Sequence, residues 1–288
     1  MKSVAFIGTG LMGKPMAMNI LKKGLPLIVY NRTSAKTEEL AKAGARVART
    51  PREAAEGADV VVTMVSNIEA VEAVLTGSDG ILRGLKRGKV LIDMSTITPD
   101  SSRRFASMVE ETGAKMLDAP VSGSTSVAEK GDLTIMVGGD PRILDEVREI
   151  FQAMGKFIFH IGDNGSAVAI KLVVNHFVAG MTALLAEGLI LSEKLGIDPS
   201  IFSNVLNSSA VKSPMYDMKT PKMVSQDFSA QFPLKLIVKD LDYITRTAEK
   251  VGARMPVHEA VKGQYSAAAK EGLGESDFSV VYELLAKK

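Results

Sequence analysis

The sequence predicts a doubly wound α/β domain followed by an all-α domain, the two linked through a long helix. Three observations carry that prediction. Short β-branched runs alternate with helical patterns through the first half of the chain, the alternation stops near Gly162, and nothing beyond it reads as a strand. The domains are accordingly expected at 1–163 and 164–288.

Runs at 2–7, 27–30, 59–64, 90–93, 115–118, 133–137 and 157–160 read as strands. They are mostly apolar rather than alternating, which is the mark of strands buried on both faces in a parallel sheet. Helical patterns separate most of them, as at 11–22, 35–43 and 99–112. The first pattern of the second half runs from 164 to 195, a helix of about 45 Å. Its apolar residues lie on almost every face, so it needs cover all round, and a homodimer or homotetramer is expected to supply part of it. The stretch 172–192 is long and apolar, but Asn175, His176 and Glu187 interrupt it. Such residues are costly at bilayer depth, so a buried soluble helix is expected and no membrane partner. Gly196 supplies a stop, and Asp198-Pro199 opens the next helix. Further helices are expected at 201–207, 234–251 and 256–270. The segment 213–232, with Pro214, Pro221 and then Pro233, reads as irregular or as short turns.

Composition narrows the function. The 288 residues hold 35 basic and 33 acidic side chains, with no long run of either sign, which argues against a nucleic-acid partner. No cysteine occurs, which excludes disulfides, Cys-ligated zinc and thiol catalysis. The three histidines, His160, His176 and His258, are far apart in sequence, so no metal site is expected. The N-terminus runs straight into a strand without a cleavage-site pattern, and a cytoplasmic protein is expected.

The chemistry-bearing motif comes first in the chain. Val4-Ala5-Phe6-Ile7 leads into Gly8-Thr9-Gly10-Leu11-Met12-Gly13 and then a helix, the strand–GxGxxG–helix order of a Rossmann-type dinucleotide site. The first glycine allows a tight turn, the second admits a pyrophosphate to the backbone, and the third lets helix and strand pack closely. Free amides and the helix dipole then face the phosphates. The end of the second strand selects the dinucleotide. An NAD enzyme usually carries Asp or Glu there for the ribose hydroxyls. This chain has Asn31-Arg32-Thr33, with Lys36 behind. No carboxylate repels a 2′-phosphate, and Arg32 offers a planar fork for one, so NADP(H) is preferred with NAD(H) possible. The alternative for Arg32 and Lys36 is a pair of solvated loop residues.

The glycine loop, Asp118-Ala119-Pro120-Val121-Ser122-Gly123-Ser124, the Lys171…Asn175 pair and Lys239-Asp240 together resemble the β-hydroxyacid dehydrogenases, over essentially the whole chain. That family includes 3-hydroxyisobutyrate dehydrogenase and the glyoxylate/succinic semialdehyde reductases. The resemblance implies that Lys171 is the catalytic lysine, with Asn175 one helical turn on and facing the same substrate. It implies a small carboxylate-bearing substrate gripped by Ser122, Gly123 and Ser124. It further sets Thr96 beside the nicotinamide, with Met64, Val65 and Ser66 close by. Lys239 lies near cofactor and substrate, and Phe232 closes over the pocket. Read without the family, Lys171 is equally a snorkelling lysine at a helix start, and Ser122–Gly123 an ordinary polar turn.

The chain departs from the common family pattern at Gly165-Ser166-Ala167 and in its single asparagine after Val174. Those features, with Asn31-Arg32-Thr33 and Phe232-Pro233-Leu234-Lys235, resemble the glyoxylate/succinic semialdehyde reductase branch. The implied reaction is NADPH-dependent reduction of small aldehyde or oxo acids. The alternatives are an oxidative 3-hydroxyisobutyrate or other β-hydroxyacid dehydrogenase and, from a different class, a non-catalytic dinucleotide-binding interaction module. The phosphogluconate dehydrogenases share the architecture on longer chains. Imine reductases resemble the family too but commonly lack the lysine that this chain keeps.

Overall fold

The protein, seen in a computed structural model, is described for residues 2–287. It divides into two compact units, Met1–Lys171 and Leu172–Lys288. The first holds strands β1 (Val4–Ile7), β2 (Leu27–Tyr30), β3 (Arg46–Val47), β4 (Val60–Thr63), β5 (Val90–Asp93), β6 (Lys115–Asp118), β7 (Val121–Ser122), β8 (Leu133–Gly138) and β9 (Gly155–Gly162). They form one sheet in the order β3-β2-β1-β4-β5-β6-β8-β7, with β9 paired to β8. Between them run α1 (Gly13–Lys22), α2 (Glu38–Lys42), α3 (Pro51–Glu56), α4 (Ile68–Thr76), α5 (Pro99–Glu111), α6 (Thr125–Lys130) and α7 (Pro141–Met154).

The apolar strands feed two cores. In β1, Val4 and Phe6 enter one and Ala5 and Ile7 the other; in β5, Val90 and Ile92 oppose Leu91 in the same way. Each such side chain contributes about 1.5–3 kcal/mol when fully buried, so a strand without a polar face is favoured only between two helical layers. The helices begin where the local chemistry supplies a cap. Thr50, Thr98 and Asp140 each accept an amide hydrogen bond from the first turn of α3, α5 and α7, and Pro51, Pro99 and Pro141 take the first helical position.

Two sequence expectations need correction here. Strands β1 to β6 pair in parallel, but β8 runs antiparallel to β6 and β7, so the sheet is mixed. Only the short α6 joins β7 to β8, and a parallel return needs a crossover of roughly a dozen residues or more. The other correction is two strands the pattern missed, β3 and β7, each too short to show a period.

The helix α8 (Ser166–Lys194) crosses from the first unit into the second. Its opening residues belong to the sheet unit, where Val168 joins the α5 side of the core. It is long and apolar enough to cross a membrane by length and composition. Within the helical unit it is tied by polar contacts: the Tyr265 hydroxyl donates to the Ala179 carbonyl at 3.1 Å, and Gln264 donates to Glu187 at 2.6 Å. Its cover is one-sided, because Val173, Phe177, Leu184 and Leu191 are exposed.

The helical unit continues with α9 (Pro199–Ser208), α10 (Pro214–Ser225), α11 (Leu234–Val251), α12 (Pro256–Lys270) and α13 (Val281–Ala286). Residues 226–232 are irregular as expected, but the helix α10 overturns the expectation of an irregular 213–232 over Pro214–Ser225. Ser213 caps it, Pro214 occupies its first position, and Pro221 sits inside it at the cost of a hydrogen bond. Burial of Tyr216 and Met223 favours the helix against that loss.

Candidate active site

The sheet unit gathers most of the sequence-predicted residues at the carboxyl ends of its parallel strands, where open α/β sheets bind ligands. At the end of β1, Gly8 adopts φ +101°, and a Cβ on it would lie 2.2 Å from the Met64 carbonyl oxygen. A Cβ on Gly13 would lie 1.9 Å from the Gly8 carbonyl oxygen. At Gly10 an added Cβ meets nothing within 4 Å, so the backbone there faces open space. The amides of Gly10, Leu11 and Met12 bond to no backbone carbonyl among the described residues. This is what a pyrophosphate requires: clearance, unengaged donors and the N-terminus of α1. The cradle fits a dinucleotide.

Thr9 and Asn31 do a different job from the rest of that loop. The Asn31 Oδ1 accepts from the Thr9 amide at 3.1 Å, its Nδ2 donates to the Thr33 carbonyl at 2.9 Å, and the Thr9 hydroxyl donates to the Lys36 carbonyl at 3.0 Å. Asn31 therefore locks the glycine loop to the end of β2. Arg32, Thr33 and Lys36 are exposed beside it. Arg32 pairs with no carboxylate among the described residues, which leaves its guanidinium open to an anionic group.

At the next strand ends, one buried carboxylate organises two loops. Asp93 accepts from the Thr63 hydroxyl at 2.7 Å and from the Ser95 amide at 3.2 Å, and Ser95 in turn accepts from the Val65 amide at 3.0 Å. Met64, Val65 and Ser66 after β4 and Thr96 after β5 are thus fixed by a residue whose role the sequence did not reveal. Burial pushes the Asp93 carboxyl up to about 6, aided by the nearby Asp118 charge, while Ser95 and Thr63 pull it down.

The loop after β6 holds Ser122, Gly123 and Ser124. Ser122 pairs across to Thr134 of β8, and Gly123 takes φ +143° with Leu133 and Val127 too close for any side chain. The Ser124 and Ser126 hydroxyls bond to each other at 2.8 Å. Amides and hydroxyls with no formal charge therefore line this turn. Lys171 is 8% exposed on α8, just past the residues that Asp118 contacts: Asp118 accepts from the Gly165 amide at 2.9 Å and the Val168 amide at 3.1 Å.

The helical unit carries the remaining candidates. Asn175 is buried, four residues after Lys171 on the same helix, and its Nδ2 donates to Asp240 Oδ2 at 2.6 Å. Lys239 Nζ lies 2.9 Å from Asp240 Oδ1 and 4.9 Å from the centroid of the Tyr243 ring. Asp240 is thus the hub of this cluster. The sequence marked it only as part of a motif. Phe232 is half-buried, its ring edge-on to Phe278 at 5.5 Å. Its amide donates to the Asp277 carboxylate at 3.1 Å, and that carboxylate also pairs with the buried Lys219 at 2.7 Å. Neither Lys219 nor Asp277 carried a sequence signal, since their partners are 58 positions apart.

Comparison with known proteins agrees with this geometry. Residues 3–162 match the NAD binding domain of 6-phosphogluconate dehydrogenase, and residues 165–285 match the NAD-binding domain of NADP-dependent 3-hydroxyisobutyrate dehydrogenase. A chloroplastic glyoxylate/succinic semialdehyde reductase 2 of Arabidopsis thaliana is 37% identical over 98% of this chain and 79% of its own. An NAD-dependent L-serine dehydrogenase of Pseudomonas aeruginosa is 36% identical over 99% of this chain and 98% of its own. The structure of a Mycobacterium tuberculosis 3-hydroxyisobutyrate dehydrogenase with L-serine superimposes with a TM-score of 0.90 at 29% identity, covering 99% of both chains. The chain belongs to the β-hydroxyacid dehydrogenase family related to 3-hydroxyisobutyrate dehydrogenase, the NAD(P)-dependent oxidoreductases that act on CH–OH groups.

Proposed function

We propose that this enzyme is an NADPH-dependent reductase of small aldehyde or oxo acids such as glyoxylate and succinic semialdehyde, with Lys171 as proton donor. The observation that carries this reading is a buried lysine on α8, one helical turn before a buried asparagine. Bound NADPH supplies the hydride. The Lys171 ammonium donates the proton that the developing alkoxide needs, and in the oxidative direction its neutral amine takes it back. Asn175, held by Asp240, orients the substrate. Ser122, Gly123 and Ser124 receive its carboxylate through amides and hydroxyls. Thr96 flanks the nicotinamide site together with Met64, Val65 and Ser66, Lys239 serves cofactor and substrate, and Phe232 closes the pocket. The unpaired Arg32, with Lys36 and Thr33, selects the 2′-phosphate of NADP(H) over NAD(H).

The exposed apolar stripe of α8 supports a homodimer or homotetramer, and we propose a cytoplasmic location for the enzyme. We read that helix as a core and interface helix rather than a membrane span.

A second reading is favoured by the L-serine relatives: oxidation of a β-hydroxyacid, with the same residues working in reverse. One experiment separates the two. Rates of NADPH and NADH oxidation are measured with glyoxylate, succinic semialdehyde and methylmalonate semialdehyde, beside NADP+ and NAD+ reduction with L-serine and 3-hydroxyisobutyrate. The first reading expects fast NADPH-linked turnover of the first two aldehydes; dominant oxidation of a hydroxyacid selects the second. Lys171→Ala is expected to lower kcat by about 100-fold or more with NADPH affinity nearly intact. Unchanged turnover in that variant removes Lys171 from the chemistry.

A further inference from the structure

We propose that Asp118 is a positioning residue for Lys171, acting as the N-cap that helix α8 lacks; the inference rests on the proton-donor reading of Lys171. A helix start leaves its first amides unsatisfied, and a side-chain oxygen at the preceding position usually accepts from one of them. At the start of α8 that position is Gly165, which has no side chain and adopts φ +92°. A side chain there would strike Arg103 and the Pro99 carbonyl, with a Cβ 2.8 Å and 2.9 Å from them. The chain therefore cannot cap this helix from within.

The carboxylate of Asp118 comes from the end of β6 to do it. Its Oδ1 accepts from the Gly165 amide at 2.9 Å and from Asn164 Nδ2 at 3.2 Å, while its Oδ2 accepts from the Val168 amide at 3.1 Å. Both oxygens are used, and the residue has no exposed surface. Room for it exists because residue 138 is glycine: a Cβ there would sit 2.6 Å from Asp118 Oδ1. Lys171 follows Val168 by three positions, within one turn of the clamped amide. The same Asp118 is the last residue of the strand that leads into Ser122 and Gly123. One carboxylate thus sets the rotation and height of the helix carrying the lysine against the strand leading to the substrate loop. A charged acceptor suits the task, because it bonds both amides and complements the positive end of the helix.

Asp118→Asn tests this. An amide keeps one acceptor oxygen but turns an NH2 towards one of the two backbone donors, so the first turn of α8 must shift. Displacement of a reacting group by about 1 Å costs on the order of 100-fold in rate. We expect kcat to fall by about 10- to 100-fold. NADPH affinity by fluorescence titration and KM for the acid substrate should each stay within about threefold, because neither is made by this contact. The decisive readout is a double-mutant cycle in single-turnover hydride transfer. In a Lys171→Ala background, Asp118→Asn is expected to cost almost nothing further, since a positioning residue acts through the group it positions. Gly138→Ala, which displaces the same carboxylate without removing its charge, should reproduce a smaller kcat-selective loss.

Additive losses in the cycle would overturn the proposal, as would parallel loss of NADPH binding and turnover in both Asp118→Asn and Gly138→Ala. If Lys171→Ala itself turns over normally, the proton-donor reading fails instead, whatever Asp118→Asn does. The two failures are therefore distinguishable.

Discussion

In the sheet unit the candidate groups at 8–13 are unengaged backbone amides, held in place by glycines whose missing side chains are the essential feature. In the helical unit the candidate groups are side chains: Asn175, Lys239 and Asp240 lie buried or half-buried, Asn175 hydrogen-bonded to Asp240 and Lys239 ion-paired with it. A backbone site has nothing to titrate, and its geometry is fixed once the turn is fixed. A side-chain cluster carries charge and hydrogen-bonding range, but each member depends on the others staying paired. The difference teaches where each kind of group is useful. Phosphates, whose charge is constant, suit amides and a helix terminus. A proton-transfer step needs ionisable groups, and those have to be held by partners.

The sharpest way to break the comparison is to add single methyl groups to the backbone site. Gly8→Ala places a Cβ 2.2 Å from the Met64 carbonyl oxygen at a φ of +101°, which no local shift relieves. Loss of both stable fold and dinucleotide binding is expected. Gly10→Ala meets nothing within 4 Å and should melt like the parent, within about 0.5 kcal/mol. Its methyl nevertheless fills the clearance a pyrophosphate needs, so NADPH affinity should drop by about 100-fold, or roughly 2.7 kcal/mol. Fluorescence titration alongside thermal melting reads both. Tight NADPH binding by folded Gly10→Ala would show that the open space there is not where the phosphates lie.

That contrast also explains what could be read before the structure. Glycine-built geometry leaves a local signature, so the turn at 8–13 was legible at the level of single residues, whereas the Ser122–Gly123 loop stood out only through the family resemblance. The strands β1 and β4 beside the first turn were legible too, because apolar runs such as 60–62 have few other uses, whereas β7 was too short to read. Side-chain pairing leaves no such trace. The bond between Asn175 and Asp240 joins residues 65 positions apart, and that between Asp118 and Val168 joins residues 50 apart. Only the packed structure shows that Asp118, Asp93 and Asp240 are anchors rather than ordinary motif members. The antiparallel turn of the sheet at β8 and the helix α10 were missed for a related reason. A short connection set the first and tertiary burial the second, and neither is written in a local period.

The side-chain cluster should fail in a different manner from the backbone site. Asp240→Ala removes the carboxylate that accepts from the Asn175 amide and ion-pairs with the Lys239 ammonium, inside a largely buried setting. Removing one partner from buried polar groups costs about 1–3 kcal/mol. Urea unfolding is expected to show that loss, together with a fall in kcat/KM of about 10- to 100-fold, while NADPH affinity changes little. A variant as stable as the parent would mean that water serves these two groups as well as the carboxylate does.

The narrowest effect, confined to one pH window, concerns the sheet-unit anchor Asp93, one of whose buried oxygens has no hydrogen-bond partner. Asp93 has no exposed surface, and its Oδ2 accepts no hydrogen bond. Burial raises its carboxyl to about 6, with the Asp118 charge adding to the effect against the pull of Ser95 and Thr63. An unfolded chain titrates this group near 3.9. Between about pH 4 and pH 6 the folded protein therefore binds a proton that the unfolded chain has released, so stability falls as pH rises through that window and is level above it. Two pKa units correspond to ~3 kcal/mol at most. Asp93→Asn keeps an acceptor for Thr63 and Ser95 but cannot ionise. Whatever constant cost its buried NH2 group brings applies equally at both ends of the window and cancels in the difference. The stability of the variant relative to the parent should therefore improve by up to about 3 kcal/mol between pH 4 and pH 7.5, read from urea midpoints at each pH. If the relative stability is the same at both, Asp93 is not the group that titrates in that window. The sheet unit would then hold its loops with a carboxylate that stays charged throughout that window.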